Sequence, residues 1–207
     1  MSHARTLLCL ALGACLQAAA PVHFGGAVHV NAPLSDLKTD LNDKVGFGGS
    51  FQVSFETGDR GLLRTRLDVD HFPVSSYERP SSNYREEVGL NSIGVGADWL
   101  YAFSGSRDRG AYGLAGLGIL RWFQTFSASD HSGNSTWSSS DTKKNRVSPW
   151  LALGLGYQVN RRVGLELRGV ASRYDGPSTG GLQAPFTEVP TSLRTAVAAQ
   201  AALTLRW

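Results

Sequence analysis

Arg64, Arg66, Asp68 and Asp70 stand at every second position of one stretch, with Leu63, Leu67 and Val69 at the alternate positions. In a β-strand that spacing puts all four ionisable groups on one face. Glu166 and Arg168, two positions apart, share a face in the same way. If the segment 62–72 pairs antiparallel with 90–103, Arg66 falls close to Asp98, and Arg64 comes within reach of Glu56 across the turn at 57–61. Isolated charge is costly away from water, so such groups must neutralise one another. The chemistry expected is therefore ion pairing in an enclosed space. Its members are Glu56, Arg64, Arg66, Asp68, Asp70, Asp98, Glu166, Arg168 and Gln200. Structural salt bridges are one reading of this network and a gated pore is the other.

Other reactive groupings fall short. His29, His71 and His131 lie near one predicted rim, with Ser75, Ser76 and Ser132 nearby. A nucleophile needs an ordered base and an orienting acid, and His131-Ser132 sits in a Ser-rich loop, so no catalytic residue is assigned and no enzyme is expected. His23 and His29 are six apart, too far to share a metal without other ligands. The pairs Gly94/Gly96, Gly116/Gly118 and Gly154/Gly156 do not make G-x-G-x-x-G before a helix. No cofactor or metal is expected.

The elements that hold these residues follow from composition and periodicity. The chain has 207 residues, 24 of them Gly, with 42% hydrophobic and 18% charged residues and a formal charge of +3. Its mean hydropathy is −0.16. Such a chain is too apolar for disorder, and it fits one domain of ordinary size. No apolar run after residue 20 reaches the length of a membrane helix. The positive charge forms no basic stripe, so nucleic acid is not indicated.

Residues 1–20 read as a secretory signal, with His3 and Arg5 before the apolar stretch Leu7–Leu16. Cleavage near Ala20 is one option. Leu12-Gly13-Ala14-Cys15, which resembles a lipobox ending in a lipidated cysteine, is the other. Cys9 and Cys15 both lie in this segment, so cleavage near Ala20 leaves residues 21–207 without thiol chemistry.

After residue 21 apolar residues recur with period two, the signature of strands with two unlike faces. The clearest segment is 45–56, where Val45, Phe47, Phe51, Val53 and Phe55 oppose Gly46, Gly48, Ser50, Gln52, Ser54 and Glu56. Similar segments are 22–30, 62–72, 90–103, 111–124, 149–159, 163–174 and 193–207. The segment 111–124 is ambiguous, because Leu114, Leu120 and Trp122 share a face with Gly116 and Gly118. Short turns are expected near 57–61, 104–110 and 160–162. Long polar loops are expected near 31–44, 73–87, 125–147 and 175–192, the first with a helical turn carrying Leu34, Leu37 and Leu41.

Eight strands with turns alternately short and long describe an all-β, eight-stranded antiparallel up-and-down barrel. All four Lys (Lys38, Lys44, Lys143 and Lys144) fall in predicted loops, and the polar face is Gly, Ala, Ser and Gln with a few charges. Small residues suit a lumen barely wide enough for side chains, so the apolar face is expected to point at lipid. Trp99, Tyr101, Phe103, Tyr157 and Trp207 would form a girdle at the membrane interface beside the short turns. Phe72, Phe123, Trp150 and Tyr174 would form a second girdle at the long-loop ends.

With its signal, eight amphipathic strands and a last strand ending Leu203-Thr204-Leu205-Arg206-Trp207, the chain resembles small Gram-negative outer-membrane barrels of the OmpA transmembrane-domain, OmpX and OmpW types. The resemblance covers residues 21–207 and rests on pattern. It implies an outer-membrane transmembrane barrel with periplasmic termini and four longer external loops, surrounded by lipid and lipopolysaccharide, and a monomer. It also implies recognition of Trp207 by the barrel-assembly machinery. A structural or surface-interaction role with a plugged lumen is expected. A narrow pore, or an OmpW-like channel for small hydrophobic solutes, is the alternative. A lipid A-modifying enzyme is the third possibility.

Overall fold

The computed structural model describes residues 21–78, 85–103, 108–132, 135–175 and 193–207. Eight strands are present: β1 (Val22–Leu34), β2 (Gly46–Thr57), β3 (Gly61–Glu78), β4 (Arg85–Ala102), β5 (Gly110–Ser132), β6 (Ser135–Gln158), β7 (Val163–Asp175) and β8 (Leu193–Arg206). Each pairs antiparallel with its chain neighbours, and β8 closes on β1. The short turns and both strand termini, Val22 and Arg206, occupy one end of the barrel.

The stagger of the barrel can be followed through its hydrogen-bonded partners. From Gly25 they run through Gln52, Arg66, Gly96, Gly118, Trp150, Ser172 and Ala196, and return to the first strand's end at Ser35. One circuit thus climbs from position 25 to position 35, which fixes how strongly the strands tilt. It also stacks side chains that the flat register keeps apart.

The two faces are inverted relative to a water-soluble barrel. Leu153 is 72% exposed on the outside, and Val28, Leu117, Leu151, Leu155 and Leu167 are exposed with it. Arg64, Arg66, Arg168, Glu166 and Asp98 are buried inside, Asp98 completely. The ambiguity in 111–124 resolves the same way: Leu117 and Ile119 face out, whereas Leu114, Leu120 and Trp122 are buried in the lumen.

Three expectations need correction. The stretches 73–87 and 125–147 are largely strand, since β3 and β4 pair out to Glu78↔Arg85 and β5 and β6 out to Ser132↔Ser135. Backbone pairing continues beyond the apolar belt, where the sequence turns to Ser and Thr and period two fades. The loop at 31–44 contains a helix, α1 (Ser35–Leu41), with Leu37 and Leu41 buried and Leu34 left outside it at the N-cap. Third, Phe72, Trp150 and Tyr174 do not form a girdle. They are buried in the lumen, and Tyr174 has no exposed surface. All three occupy the lumen parity of their strands, alongside Asp70, Ala152 and Ser172, and strand geometry overrides closeness to a loop. Phe123 alone keeps the outward parity of that set. Residues 1–20 and 176–192, which carry the predicted signal and most of the last long loop, lie outside the described residues.

Leu37, Leu41, Phe72, Leu90, Leu120, Trp122, Trp150, Tyr174 and their neighbours make one apolar cluster at the α1 end. Glycine makes room for it. A Cβ on Gly96 would run into the Trp150 ring and come 2.6 Å from the Leu117 carbonyl oxygen, and one on Gly118 would meet Trp150 Nε1 at 2.7 Å. Gly96→Val should therefore displace Trp150 and destabilise the barrel by about 1–3 kcal/mol, as overpacking does. A red-shifted tryptophan emission together with a lower urea midpoint would show it. An unchanged spectrum would refute the packing.

Candidate functional site: the lumen charge network

The lumen side chains come from alternate positions of strands distant in sequence. Below the apolar cluster lie three guanidiniums and three carboxylates in contact. Arg64 forks between two partners: Nε and Nη2 donate to Asp98 Oδ2 at 3.1 and 2.7 Å, while Nη1 and Nη2 donate to Glu166 at 2.5 and 3.0 Å. Arg66 donates to Asp68 through Nε at 2.9 and 2.7 Å, and through Nη1 to Asp98 Oδ2 at 3.2 Å. Arg168 donates to Gln200 Oε1 and stands 3.6 Å from Asp98 Oδ2. It also lies over the Trp150 ring, 5.9 Å from the centroid.

The expected Arg66–Asp98 neighbourhood is present, and Glu166, Arg168 and Gln200 join it. Arg64 does not reach Glu56. The turn pairs Thr57 with Gly61 and Glu56 with Leu62, so Arg64 lies two positions above Glu56 and points to the barrel axis. Glu56 instead meets His23 Nε2 at 3.1 Å near the short-turn end. Asp70 stands apart from the arginines: it receives His29 Nε2 at 2.6 Å, Asn31 Nδ2 at 2.8 Å and Ser92 Oγ at 3.0 Å. The two groups are joined through Gln200, which donates to Asn31 Oδ1 at 2.7 Å.

Tyr112 is a member that the sequence pattern does not single out. Its hydroxyl donates to Glu166 Oε1 at 2.7 Å, and its signal is hidden in the strand of ambiguous parity. Tyr112→Phe should destabilise the barrel by about 1.5–3 kcal/mol, the usual worth of a hydrogen bond to a charged group. Urea titration of the refolded protein checks this, and a loss under about 0.5 kcal/mol would contradict it.

The network divides the interior. A void toward α1 is lined by Asp68, Asp70 and Arg168. A separate one toward the short turns is lined by Gln52, Arg64, Glu166 and Thr204. Beyond that, Arg206 and Arg161 both reach Asp108, at 3.3 and 2.9 Å.

The remaining candidates are placed as follows. Trp99, Tyr101, Phe103, Tyr157 and Trp207 all face outward at the short-turn end. His71 pairs with Asn91, Nδ1 to Oδ1 at 2.7 Å, and Asn91 donates to Thr125 at 2.9 Å. His29 engages Asp70 through Nε2. The side chains of Ser75, Ser76, His131 and Ser132 lie outside the described residues. Among the described residues no cluster of three or more His, Cys, Asp or Glu could hold a metal, and no helix is long and apolar enough to cross a membrane.

A closed antiparallel up-and-down barrel of eight strands, apolar outside and charged within, is a transmembrane β-barrel. No family model matches the chain, and no curated protein matches it. Several solved structures are similar to it. The attachment invasion locus protein Ail of Yersinia pestis is 11% identical, with 90% of this chain and 97% of that chain covered and a TM-score of 0.49. Neisserial surface protein A is 18% identical, covering 90% and 96% with a TM-score of 0.44. A major outer membrane protein from Thermus thermophilus is 13% identical, covering 90% and 99% with a TM-score of 0.45. Likeness at this level is one of strand layout alone.

Proposed function

We propose that this chain is a bacterial outer-membrane barrel with a blocked lumen, acting as a structural element of the envelope or through its outer surface rather than as a channel. One observation supports the reading: the lumen-facing, buried Arg64, Arg66, Asp68, Asp98, Glu166 and Arg168 join into one network of ion pairs across the barrel interior. Above the belt β3–β6 continue as paired strands, so the exposed working surface is a sheet. The short-turn end, with its aromatics, sits at the periplasmic interface beside lipid headgroups. The last strand ending in Trp207 is engaged by the barrel-assembly machinery, and lipopolysaccharide surrounds the outer half.

Cell fractionation tests this together with labelling. Heat-modifiable migration in the outer-membrane fraction, and reaction of Ser140→Cys with a membrane-impermeant maleimide on intact cells, are the expected results. A soluble periplasmic product, or a cysteine labelled only after lysis, would overturn the reading. Lipid A mass spectra unchanged by the protein are expected; altered acylation would favour an enzyme instead.

A further inference from the structure

We propose that the short-turn end of the barrel is a collar for the phosphate headgroups of anionic phospholipids, built from Arg60, Arg109, Arg161, Arg162 and Arg206. It rests on the barrel standing in a membrane, and it adds the class of lipid that this end selects.

Charge is segregated along the barrel axis. Among the described residues, the turns at 57–61, 104–110 and 160–162 together with Arg206 carry five Arg against two carboxylates, Asp59 and Asp108. Glu56, the next carboxylate inward, meets His23 at 3.1 Å. The opposite end is balanced. Among the described residues of 35–44, 78–87, 121–146 and 173–194, nine Lys and Arg stand against nine Asp and Glu. The lumen arginines face the carboxylates of their own network. The positive excess therefore lies in the short turns, and a one-sided excess directs its field at one partner.

These arginines stand on a fixed rim. The Arg60 carbonyl accepts from the Ala102 N–H at 2.9 Å, and the Arg162 carbonyl accepts from the Arg206 N–H at 2.8 Å. Asn160 Oδ1 accepts from the backbone N–H groups of Arg162 and Val163 at 2.8 and 2.9 Å, which closes their turn. Asp108 ties this turn to its neighbour by accepting from Arg161 at 2.9 Å and Arg206 at 3.3 Å. The Arg161 side chain is still 83% exposed, and Arg60, Arg109 and Arg162 are exposed with it.

The aromatics set the depth of the rim. Gly61, next to Arg60, pairs with Tyr101; Tyr157 precedes Arg161 by four positions, and Trp207 follows Arg206 directly. All three rings face outward. Trp and Tyr settle at the level of the headgroups, so guanidiniums just beyond them lie at the depth of lipid phosphates. A guanidinium offers a planar fork of N–H donors that matches phosphate oxygens. Each basic residue beside an anionic bilayer surface is worth roughly fivefold in affinity. A zwitterionic phospholipid carries its own cation beside the phosphate, so the net-anionic class is the one that an arginine excess selects.

The test places the refolded barrel in phosphatidylcholine vesicles in which part of the lipid is brominated phosphatidylglycerol or brominated phosphatidylcholine. Bromine quenches outward-facing Trp99 and Trp207, so quenching against lipid fraction gives the relative affinity for the two headgroups. At low salt the native barrel should prefer phosphatidylglycerol about fivefold. In 1 M NaCl, where the Debye length is about 3 Å, the preference should fall below about twofold. The double variant Arg161→Gln/Arg162→Gln should lose most of the preference at unchanged heat-modifiable fold, and Arg173→Gln at the opposite end should keep it. Should the double variant fail to fold, Arg60→Gln on its separate turn, with the salt titration of the native chain, makes the same comparison. Heat-modifiable migration reports the barrel separately. A chain that never enters the bilayer contradicts the membrane reading, whereas a barrel that enters without headgroup preference overturns the collar alone. A preference that survives 1 M NaCl, or that Arg173→Gln removes equally, would also overturn it. So would capture of soluble polyglutamate with no preference among lipids, which would assign this end to an acidic protein.

Discussion

Asp98→Asn is expected to cost the barrel about 3–5 kcal/mol, the loss seen when one partner of a buried ion pair is removed. Asp98 Oδ2 accepts from Arg64 at 3.1 and 2.7 Å and from Arg66 at 3.2 Å, with Arg168 at 3.6 Å. Removing its charge leaves three guanidiniums facing Asp68 and Glu166 alone, in a space with no bulk water to screen them. The amide can still accept a hydrogen bond, but its N–H groups then point at cations. Because Arg66 is one of the groups left uncompensated, Arg66→Met in the same chain should recover part of the loss, so the double variant falls short of the sum of the singles. Urea titration in phospholipid vesicles, followed by tryptophan emission, measures all three. Additive losses, or a single-variant loss under about 1 kcal/mol, would mean that water reaches the network and screens it.

Leu153→Arg should be nearly as damaging for the opposite reason. Leu153 lies on the outer face, well inside the belt of exposed Leu117, Leu151, Leu155 and Leu167. In a bilayer an outward Arg near the midplane costs about 2–4 kcal/mol, falling to about 0–1 near the interfaces. Leu153→Arg should thus lower stability in vesicles while Leu205→Arg, close to the short-turn end, is mild. On a soluble barrel both changes would be harmless, since they would add charge to a wet surface. Equal and small effects at the two positions would contradict a lipid-facing exterior.

Strand parity in the sequence carries most of this. The positions of Arg64, Arg66, Asp68 and Asp70 on one face, and of Leu63, Leu67 and Val69 on the other, follow from period two alone. So do the lumen places of His29 and Ser92, although their bonds to Asp70 require the actual register. Leu37 and Leu41 announce α1 by their spacing, and its docking on Tyr174 and Arg194 does not follow from it. The bond from Arg64 to Glu166 joins residues 102 apart. It depends on barrel closure and on the climb from Gly25 to Ser35 in one circuit, neither of which is written in any local pattern. Phe72, Trp150 and Tyr174 mislead because nearness to a long loop suggests an interface girdle, while the parity of their own strands sends them inward. The extensions of β3–β6 leave no signal, because a stretch dominated by Ser, Thr and charged residues has no apolar alternation to read.

Blockage of the lumen by paired charge is tested most directly by current through a planar lipid bilayer holding the refolded barrel. The native chain should give no steady conductance, and ions should flow only when the network is broken, as in Asp98→Asn. A stable open channel of large conductance in the native protein would contradict a lumen closed by its own ion pairs.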